Sequence, residues 1–147
     1  MNNKDLIKKH PYLLPRHVWT DDPIEDYDYS FTLLDDMPEG WRKAFGEQMC
    51  DEITAVLKKY NFLNDYRVVQ VKEKYGSLRW YDYGAPDGAF EEINKIIHKY
   101  EVLSAKTCIN CGKPATKISL GWISPYCDEC ANLLQKRGVR FKNIDEF

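Results

Sequence analysis

Four of the five cysteines form two Cys-x-x-Cys pairs, Cys108/Cys111 and Cys127/Cys130, with fifteen residues between the pairs. Two thiolates three positions apart in a tight turn can bind one metal ion, and Zn²⁺ prefers four such ligands in a tetrahedron. The interval between the pairs is also typical of a four-cysteine zinc site. The sequence therefore predicts one structural Zn²⁺ bound by all four cysteines.

The same motifs are compatible with two other chemistries. Redox-active dithiols usually follow a strand in a βαβ unit, and the chain has no such pattern. Iron is a further alternative, although isolated four-cysteine sites of this spacing are most often structural zinc. Four protein ligands leave no position open for water, so we expect the metal to take no part in catalysis.

The motifs of the common enzyme classes are missing. The sequence contains no glycine-rich phosphate loop, no Gly-x-Ser-x-Gly and no His-Glu-x-x-His. His10, His17 and His98 lie far from the cysteine pairs in sequence, and we expect them to be solvated or hydrogen-bonded rather than metal-bound. Cys50 falls on the apolar face of a predicted helix, which indicates packing, although a Cys50–His nucleophile pair stays open. We therefore predict that the chain is not an enzyme.

The composition indicates a folded protein with a substantial core. Of 147 residues, 44% are hydrophobic and 14% are aromatic, which argues against wholesale disorder. The longest apolar runs fall far short of the roughly 20 residues needed to span a bilayer, and the N-terminus lacks the apolar segment of a secretory signal. Five cysteines in a cytosolic chain are not expected to form a disulfide framework, because that compartment keeps thiols reduced. We expect a soluble, cytoplasmic protein, located in the host cytoplasm if a phage encodes it.

The charge is unevenly distributed along the chain. Residues 20–40 contain eight acids and no Lys or Arg, whereas residues 106–142 contain seven bases against two acids. Such asymmetry often marks a surface that contacts a macromolecule. The alternative is two solvated faces that partly neutralise each other.

The acidic stretch also contains aromatic side chains of the kind that dominate interface energetics. We predict that it binds a basic surface of a protein partner, unless these aromatic side chains belong to the core. The residues predicted to make this contact are Asp21, Asp22, Glu25, Asp26, Tyr27, Asp28 and Tyr29.

The basic end of the chain supports a different hypothesis, the binding of nucleic acid. Trp122 and Tyr126 are available to stack on bases. The cations available to contact phosphates are Lys113, Lys117, Lys136, Arg137, Arg140 and Lys142. An overall pI of 5.9 weakens this hypothesis. No membrane and no small-molecule substrate is expected as a partner.

Hydrophobic periodicity predicts an α+β body over residues 1–105, in which two main helices pack on a small antiparallel sheet. The predicted elements are a helix over 3–9 capped at Asn3, a short strand over 30–34, a helix from Pro38 to about Tyr60, strands over 66–73 and 77–83, and a helix from Asp87 to about Ala105. Asn61 can end the long helix, and Gly76 can take the positive φ of the hairpin turn.

The remaining residues, 106–147, form the cysteine module, with a basic C-terminal tail. Gly112 permits the turn after the first cysteine pair, and strands are predicted over 115–118 and 122–126. The second pair is predicted to open a helix from Cys127 to Arg137. A turn, a hairpin and then a helix that supplies the last two ligands form a treble-clef or zinc-ribbon-like module. Such a short segment has too little core to fold without its metal.

Several of these motifs together resemble a family of small, uncharacterised bacterial and prophage zinc-binding proteins. They are Gly40-Trp41, the string Val69–Tyr81, Thr107–Gly112, Gly121-Trp122 and Cys127, and the resemblance covers roughly residues 40–131. The fourth ligand position of the family is often His, whereas this chain has Cys130. The acidic stretch lies outside the resemblance.

Phage proteins of similar size with zinc sites act as anti-CRISPR inhibitors. They bind the RNA-guided effector nuclease of a type II system and block its engagement of target DNA. The resemblance therefore implies a non-catalytic inhibitor of such a guide-loaded nuclease. A toxin-immunity protein is the alternative that would also act by binding and blocking.

Overall fold

Helices and short antiparallel sheets build the fold in residues 1–17 and 19–146, the part of the chain that the computed structural model describes. The helices are α1 (Asn3–Lys9), α2 (Glu39–Trp41), α3 (Glu47–Lys59), α4 (Asp87–Ser104) and α5 (Asp128–Gln135), and the strands are β1 (Val68–Lys74), β2 (Ser77–Asp82), β3 (Lys117–Ser119), β4 (Pro125–Tyr126) and β5 (Phe141–Asn143). β1 and β2 form a hairpin, and the other strands form a sheet in the order β4-β3-β5. The predicted α+β class is confirmed. None of these helices is long and apolar enough to cross a membrane.

A π-helical turn, Arg42–Gly46, joins α2 to α3, so that residues 39–59 form one continuous helical segment. The large apolar side chains that this segment buries recur every four residues: Trp41, Phe45, Met49, Ile53 and Leu57. A repeat of four drifts around a helix of about 3.6 residues per turn, and the wider π-helical turn offsets part of this drift. Asn61 follows the segment with a φ of 54°, the left-handed conformation that commonly ends helices.

The β1–β2 hairpin turns through Tyr75 and Gly76, whose φ angles of 54° and 83° are both positive. Positive φ at both central residues defines the type I′ turn that two-residue hairpins favour. The turn therefore falls where the sequence predicts it. The register pairs Val71 with Trp80 on the buried face, and α4 packs against β2.

The core of the body joins the two long helical segments, the hairpin and the N-terminal residues. α4 packs against α3, and the rings of Phe45 and Tyr100 stack at 5.2 Å between centroids. From the N-terminal side, Tyr12 is buried and its ring lies edge-on to that of Tyr66 at 5.2 Å. The aromatic N-terminal segment therefore contributes to the core as well as to the surface.

The strand predicted over residues 30–34 is wrong. Thr32 instead caps a 3₁₀ turn over Leu33–Asp36, where its hydroxyl accepts a hydrogen bond from the Leu34 amide at 3.1 Å. A side chain that satisfies the free amides of a turn locally competes with strand pairing. The hydrophobic pattern of this stretch was too short to reveal that competition.

Two predicted helix caps are also displaced by one residue. α1 is capped by Asn2 rather than Asn3, because the Asn2 side chain accepts a hydrogen bond from the Asp5 amide at 2.8 Å. α4 follows Pro86 without a side-chain cap, and Asp87 is its first residue. An acidic residue is still favourable there, since it lies at the positive end of the helix dipole.

The cysteine module contains the predicted hairpin and helix, with shorter bounds, and one further strand. β3 pairs with β4, and α5 ends at Gln135 rather than Arg137. β5 pairs with the other edge of β3, with Lys142 opposite Ile118. Residues 141–143, which fall within the predicted basic tail, form the third strand of this sheet, a strand that the sequence did not predict.

The first cysteine pair packs against the start of the long helical segment. The Gly40 amide donates a hydrogen bond to the Ile109 carbonyl at 2.9 Å, and the Trp41 indole N–H donates one to the Thr107 carbonyl at 2.9 Å. A Cβ atom on Gly40 would lie only 2.3 Å from the Cys108 carbonyl oxygen. Only glycine allows this approach, so the body and the cysteine module meet through direct backbone contact.

We expect Gly40→Ala to lower the free energy of unfolding by about 2–3 kcal/mol, because the added methyl group overlaps backbone atoms that cannot move aside. Urea unfolding of the metal-loaded protein measures this change. Gly46→Ala is the matched control, since its Cβ would lie 3.2 Å from the flexible Arg42 side chain. The control should change stability by less than about 1 kcal/mol. Equal effects of the two substitutions would contradict the packing argument.

A buried polar network surrounds His10, which is 1% exposed. Its Nδ1 atom lies 2.6 Å from the Thr54 hydroxyl, and its Nε2 atom lies 3.3 Å from the Asp51 carboxylate. The Tyr12 hydroxyl donates a hydrogen bond to the Cys50 carbonyl at 2.9 Å in the same network. Burial lowers the pKa of His10 below 6.5, although the charge of Asp51 opposes this shift.

This lowered pKa predicts a stability that depends on pH. Below pH 6.5 the unfolded chain gains a proton at His10 that the native chain does not bind. The stability contributed by neutral His10 is therefore complete above pH 6.5 and is lost as the pH falls toward the lowered native pKa. We expect His10→Gln to lose less stability than the wild type over this window, as measured by Tm at each pH. Parallel Tm curves would contradict the prediction.

Candidate metal centre

The structure brings the four predicted ligands together. The sulfur atoms of Cys108, Cys111, Cys127 and Cys130 all lie within 4.8 Å of one another, and those of Cys111 and Cys127 are 3.5 Å apart. Four sulfurs at about 2.3 Å from one tetrahedral ion would lie about 3.8 Å from each other. The donor set and its spacing therefore fit a single tetrahedral metal ion.

Local backbone geometry positions the first pair. The Gly112 amide donates a hydrogen bond to the Cys108 carbonyl at 3.0 Å, and the Cys108 amide donates one to the Lys113 carbonyl at 2.7 Å. Gly112 takes a φ of 86°, which a residue with a side chain rarely adopts, and this closes the tight turn. The turn directs both thiols of the pair to the same side.

The second pair lies at the N-terminus of α5. Cys127 is the residue that caps the helix, and the Cys130 amide points at the Cys127 sulfur at 3.5 Å. The helix N-terminus carries a partial positive charge, which stabilises a thiolate placed there. The Asn110 side chain adds a contact from its amide to the Cys130 sulfur at 3.3 Å.

The surroundings of Cys108 and Cys130 act on their thiols in opposite directions. Burial tends to raise the pKa of Cys108, but amide N–H groups such as that of Cys127 outweigh it and lower this pKa to about 7. Burial raises the pKa of Cys130 to about 12. A bound cation would lower the pKa of a thiol such as that of Cys130, since coordination favours the thiolate. The site is thus arranged for a soft cation and offers four protein ligands to it.

The acidic stretch forms a folded surface loop at the open end of the hairpin. Arg16 and Pro23 form an isolated antiparallel β-bridge across the base of the loop. The Asp21 carboxylate forms an ion pair at 3.0 Å with Arg67, in the segment before β1. The rings of Tyr27 and Tyr29 pack together at 4.9 Å. The Asp21–Arg67 ion pair therefore ties the loop to the hairpin, and the other two contacts order the loop itself.

Most of the predicted partner-binding side chains point into solvent. The exposed residues of the set are Asp21, Asp22, Glu25, Asp26, Asp28 and Tyr29, whereas Tyr27 is half-buried. Trp19, which the sequence analysis did not assign to this set, is 95% exposed beside them. The sequence shows that Trp19 adjoins the acids, but only the structure shows that its side chain is exposed.

The residues of the cysteine module that were predicted to bind nucleic acid differ in how exposed they are. Trp122 is 81% exposed, but Tyr126 is half-buried and its ring packs edge-on against Phe141 at 5.6 Å. Lys113 pairs with Glu129 at 3.3 Å. These residues therefore do not form one continuous stacking face.

Cys50 lies fully buried in the core, away from the four-cysteine cluster. Burial raises the pKa of its thiol to about 12, so that a thiolate is strongly disfavoured at neutral pH. The ring nitrogens of the nearby His10 contact Thr54 and Asp51. Cys50 has the environment of a packing residue rather than that of an activated nucleophile.

Residues outside the cysteine module pack against it and position the site, a role that their sequence motifs did not predict. Gly40 and Trp41 contact the backbone on both sides of Cys108. At the hairpin turn, a Cβ atom on Gly76 would lie 3.3 Å from Ile123 of the cysteine module. The only sequence signal for these contacts was that both glycines belong to the motifs of the family resemblance.

Comparisons with protein families, with curated proteins and with solved structures give no match for this chain. The resemblance to bacterial and prophage zinc-binding proteins therefore stays a prediction.

Serine substitution of Cys127 tests the metal centre. We expect Cys127→Ser to lose most of the bound metal and to lower Tm, because three ligands hold a structural ion poorly and the cysteine module has little other core. Cys50→Ala is the matched control, and it should keep the metal content of the wild type. Elemental analysis measures the metal content per chain. Equal metal loss in both variants would contradict the assignment of the site.

Proposed function

We propose that the protein is a non-catalytic, zinc-stabilised binding protein that inhibits a macromolecular partner through its exposed acidic loop. The observation that carries this proposal is the exposure of Glu25, Asp26 and Asp28 in a loop that is itself folded. A folded loop presents its charges with less loss of conformational entropy on binding than a disordered tail does.

The all-sulfur donor set supports zinc as the ion. Zn²⁺ takes four cysteines in closed structural sites, and such sites supply folding energy rather than catalysis. The position of the site supports the same role, because the Cys108 turn packs on the start of the long helical segment. A metal there holds the cysteine module against the body.

The charge of the loop supports a basic surface as its target. Glu25, Asp26 and Asp28 form no ion pair within the described residues, so that their charge is available to a partner. Surfaces that bind nucleic acid are rich in Lys and Arg, and an acidic loop competes with phosphates for them. Trp19 adds an exposed aromatic group of the kind found in interface hot spots.

The finer proposal names the partner as the guide-loaded effector nuclease of a type II system, whose engagement of target DNA the loop would block. It rests on the family resemblance together with the charge of the loop. The competing partner of the same kind is a polymorphic toxin, for which this chain would be the immunity protein. Affinity capture with a guide-loaded nuclease and with a toxin separates the two.

Charge reversal tests the role of the loop. We expect the triple variant Glu25→Lys, Asp26→Lys, Asp28→Lys to lose inhibition of DNA cleavage by the guide-loaded nuclease by at least about tenfold, since like charges repel across the interface. Circular dichroism and zinc content should stay as in the wild type.

The matched control reverses three exposed acids elsewhere, Asp65, Glu91 and Asp145, and changes the net charge equally. It should keep inhibition. If both triple variants inhibit as the wild type does, the loop is not the contact surface. If the wild-type protein neither binds the nuclease nor slows cleavage, the finer proposal fails.

A further inference from the structure

A cleft of about 400 Å³ lies between the turn of the β1–β2 hairpin and the loop that joins β3 to β4. The side chains of Lys72, Lys74 and Tyr75 line it from the hairpin, and Trp122 and Ile123 line it from the cysteine module. Tyr75 is 74% exposed and Trp122 is 81% exposed. Two large aromatic rings therefore flank an open groove that carries two lysines.

Folding does not account for these two aromatic residues. Tyr75 takes a φ of 54° in a turn position where Asn, Asp or Gly is favoured, so its ring comes with backbone strain. Neither Tyr75 nor Trp122 contributes to the buried core. Large exposed aromatic rings at a groove are suited to stacking on a flat ligand.

The outward face of the hairpin extends the positive charge of the cleft. Lys72 and Lys74 are two positions apart on β1, so they share this face and lie about 7 Å apart along the strand. The register places Arg79 opposite Lys72. In the described part of the chain, none of these three cations forms an ion pair. Glu73 also lines the cleft, and its carboxylate lies 3.5 Å from the Gly76 amide.

Aromatic rings lie near the lysine head groups on this face. The Lys72 ammonium lies 5.9 Å from the ring centroid of Tyr81, and the Lys74 ammonium lies 5.7 Å from that of Tyr75. These cation–π contacts are weak at exposed sites, so the ammonium groups remain free to contact anions. The face thus combines cations with flat rings.

We propose that this cleft and the adjoining outward face of the hairpin bind single-stranded nucleic acid. Bases stack on Trp122 and Tyr75, while Lys72, Lys74 and Arg79 contact the phosphates. Single-strand binding sites combine these two elements, because every base has a stackable face and every link carries a charge. A duplex fits poorly, since its bases are already stacked on each other.

The cysteine module docks on the hairpin turn and so forms one wall of this cleft. Gly76 approaches Ile123 so closely that a Cβ atom would lie 3.3 Å from it. The loop that carries Trp122 is held by Ser119, whose hydroxyl accepts a hydrogen bond from the Ser124 amide at 2.9 Å. The width of the cleft therefore depends on the docking of the cysteine module against the hairpin.

Binding of a fluorescent single-stranded oligothymidylate of about 12 nucleotides, a typical site size for single-strand binders, tests the proposal. The full, zinc-loaded chain is used, and fluorescence anisotropy at low salt gives Kd. We expect Trp122→Ala to weaken binding by about tenfold, the loss typical of one stacked base. Reversal of both Lys72 and Lys74 to Glu should weaken binding further and reduce the salt dependence, because it removes phosphate contacts.

Phe90→Ala is the matched control, since Phe90 is also an exposed aromatic residue but lies on α4, outside the cleft. It should leave oligonucleotide binding unchanged. Absence of binding at low salt, equal binding of a duplex of the same length, or unchanged binding by Trp122→Ala would each overturn the proposal. Polyphosphate binding with the affinity of the oligonucleotide would also overturn it, because no stacking would be involved.

The proposal of oligonucleotide binding at the cleft does not depend on the inhibitory role of the acidic loop. Charge reversal at Glu25, Asp26 and Asp28 affects inhibition of the nuclease, whereas Trp122→Ala affects oligonucleotide binding. An oligonucleotide that binds a protein without inhibitory activity would support the cleft and refute the loop. The converse pattern would refute the cleft alone.

Discussion

The structure depends on the contact between the first cysteine turn and the start of the long helical segment. Gly40 lets the two backbones touch, and the indole of Trp41 anchors the chain immediately before Cys108. The cysteine module has little core apart from its cysteines and the half-buried Tyr126. Its packing against the body, and a metal ion if the four cysteines bind one, would therefore hold its shape. In turn, its loop forms one wall of the cleft at the hairpin turn.

The β1–β2 hairpin connects two surfaces of opposite charge. The acidic loop is tied to its open end through Asp21 and Arg67, while the cleft with Lys72 and Lys74 lies at its turn. Seven strand residues separate these ends by roughly 20 Å. Charges this far apart are largely screened from each other at physiological salt. A protein–nucleic acid complex offers both kinds of complementary surface, whereas a lone partner of either kind would engage only one.

Part of this arrangement was predictable because it is encoded locally. The spacing of the cysteine pairs predicted which four thiols cluster, and alternation with Gly76 predicted the hairpin and its turn. Strong periodicity placed the helical segment that ends before Asn61. Weak local signals failed where a hydrogen bond or a long-range pairing decided the outcome. Thr32 capped a turn in place of a strand, and β5 formed only because an edge of β3 was available.

The sequence by itself determined the donor chemistry of the candidate metal site, since two short motifs carry all four sulfurs and each motif sets the turn that brings its own two sulfurs together. It also determined the sign of the charge on each segment. Only the tertiary structure decided which of these residues act together. Trp122 and Tyr75 lie 47 positions apart in sequence, and they flank one cleft because the cysteine module docks on the body. Such contacts depend on how whole elements pack against each other, and the periodicity of the sequence does not predict this packing.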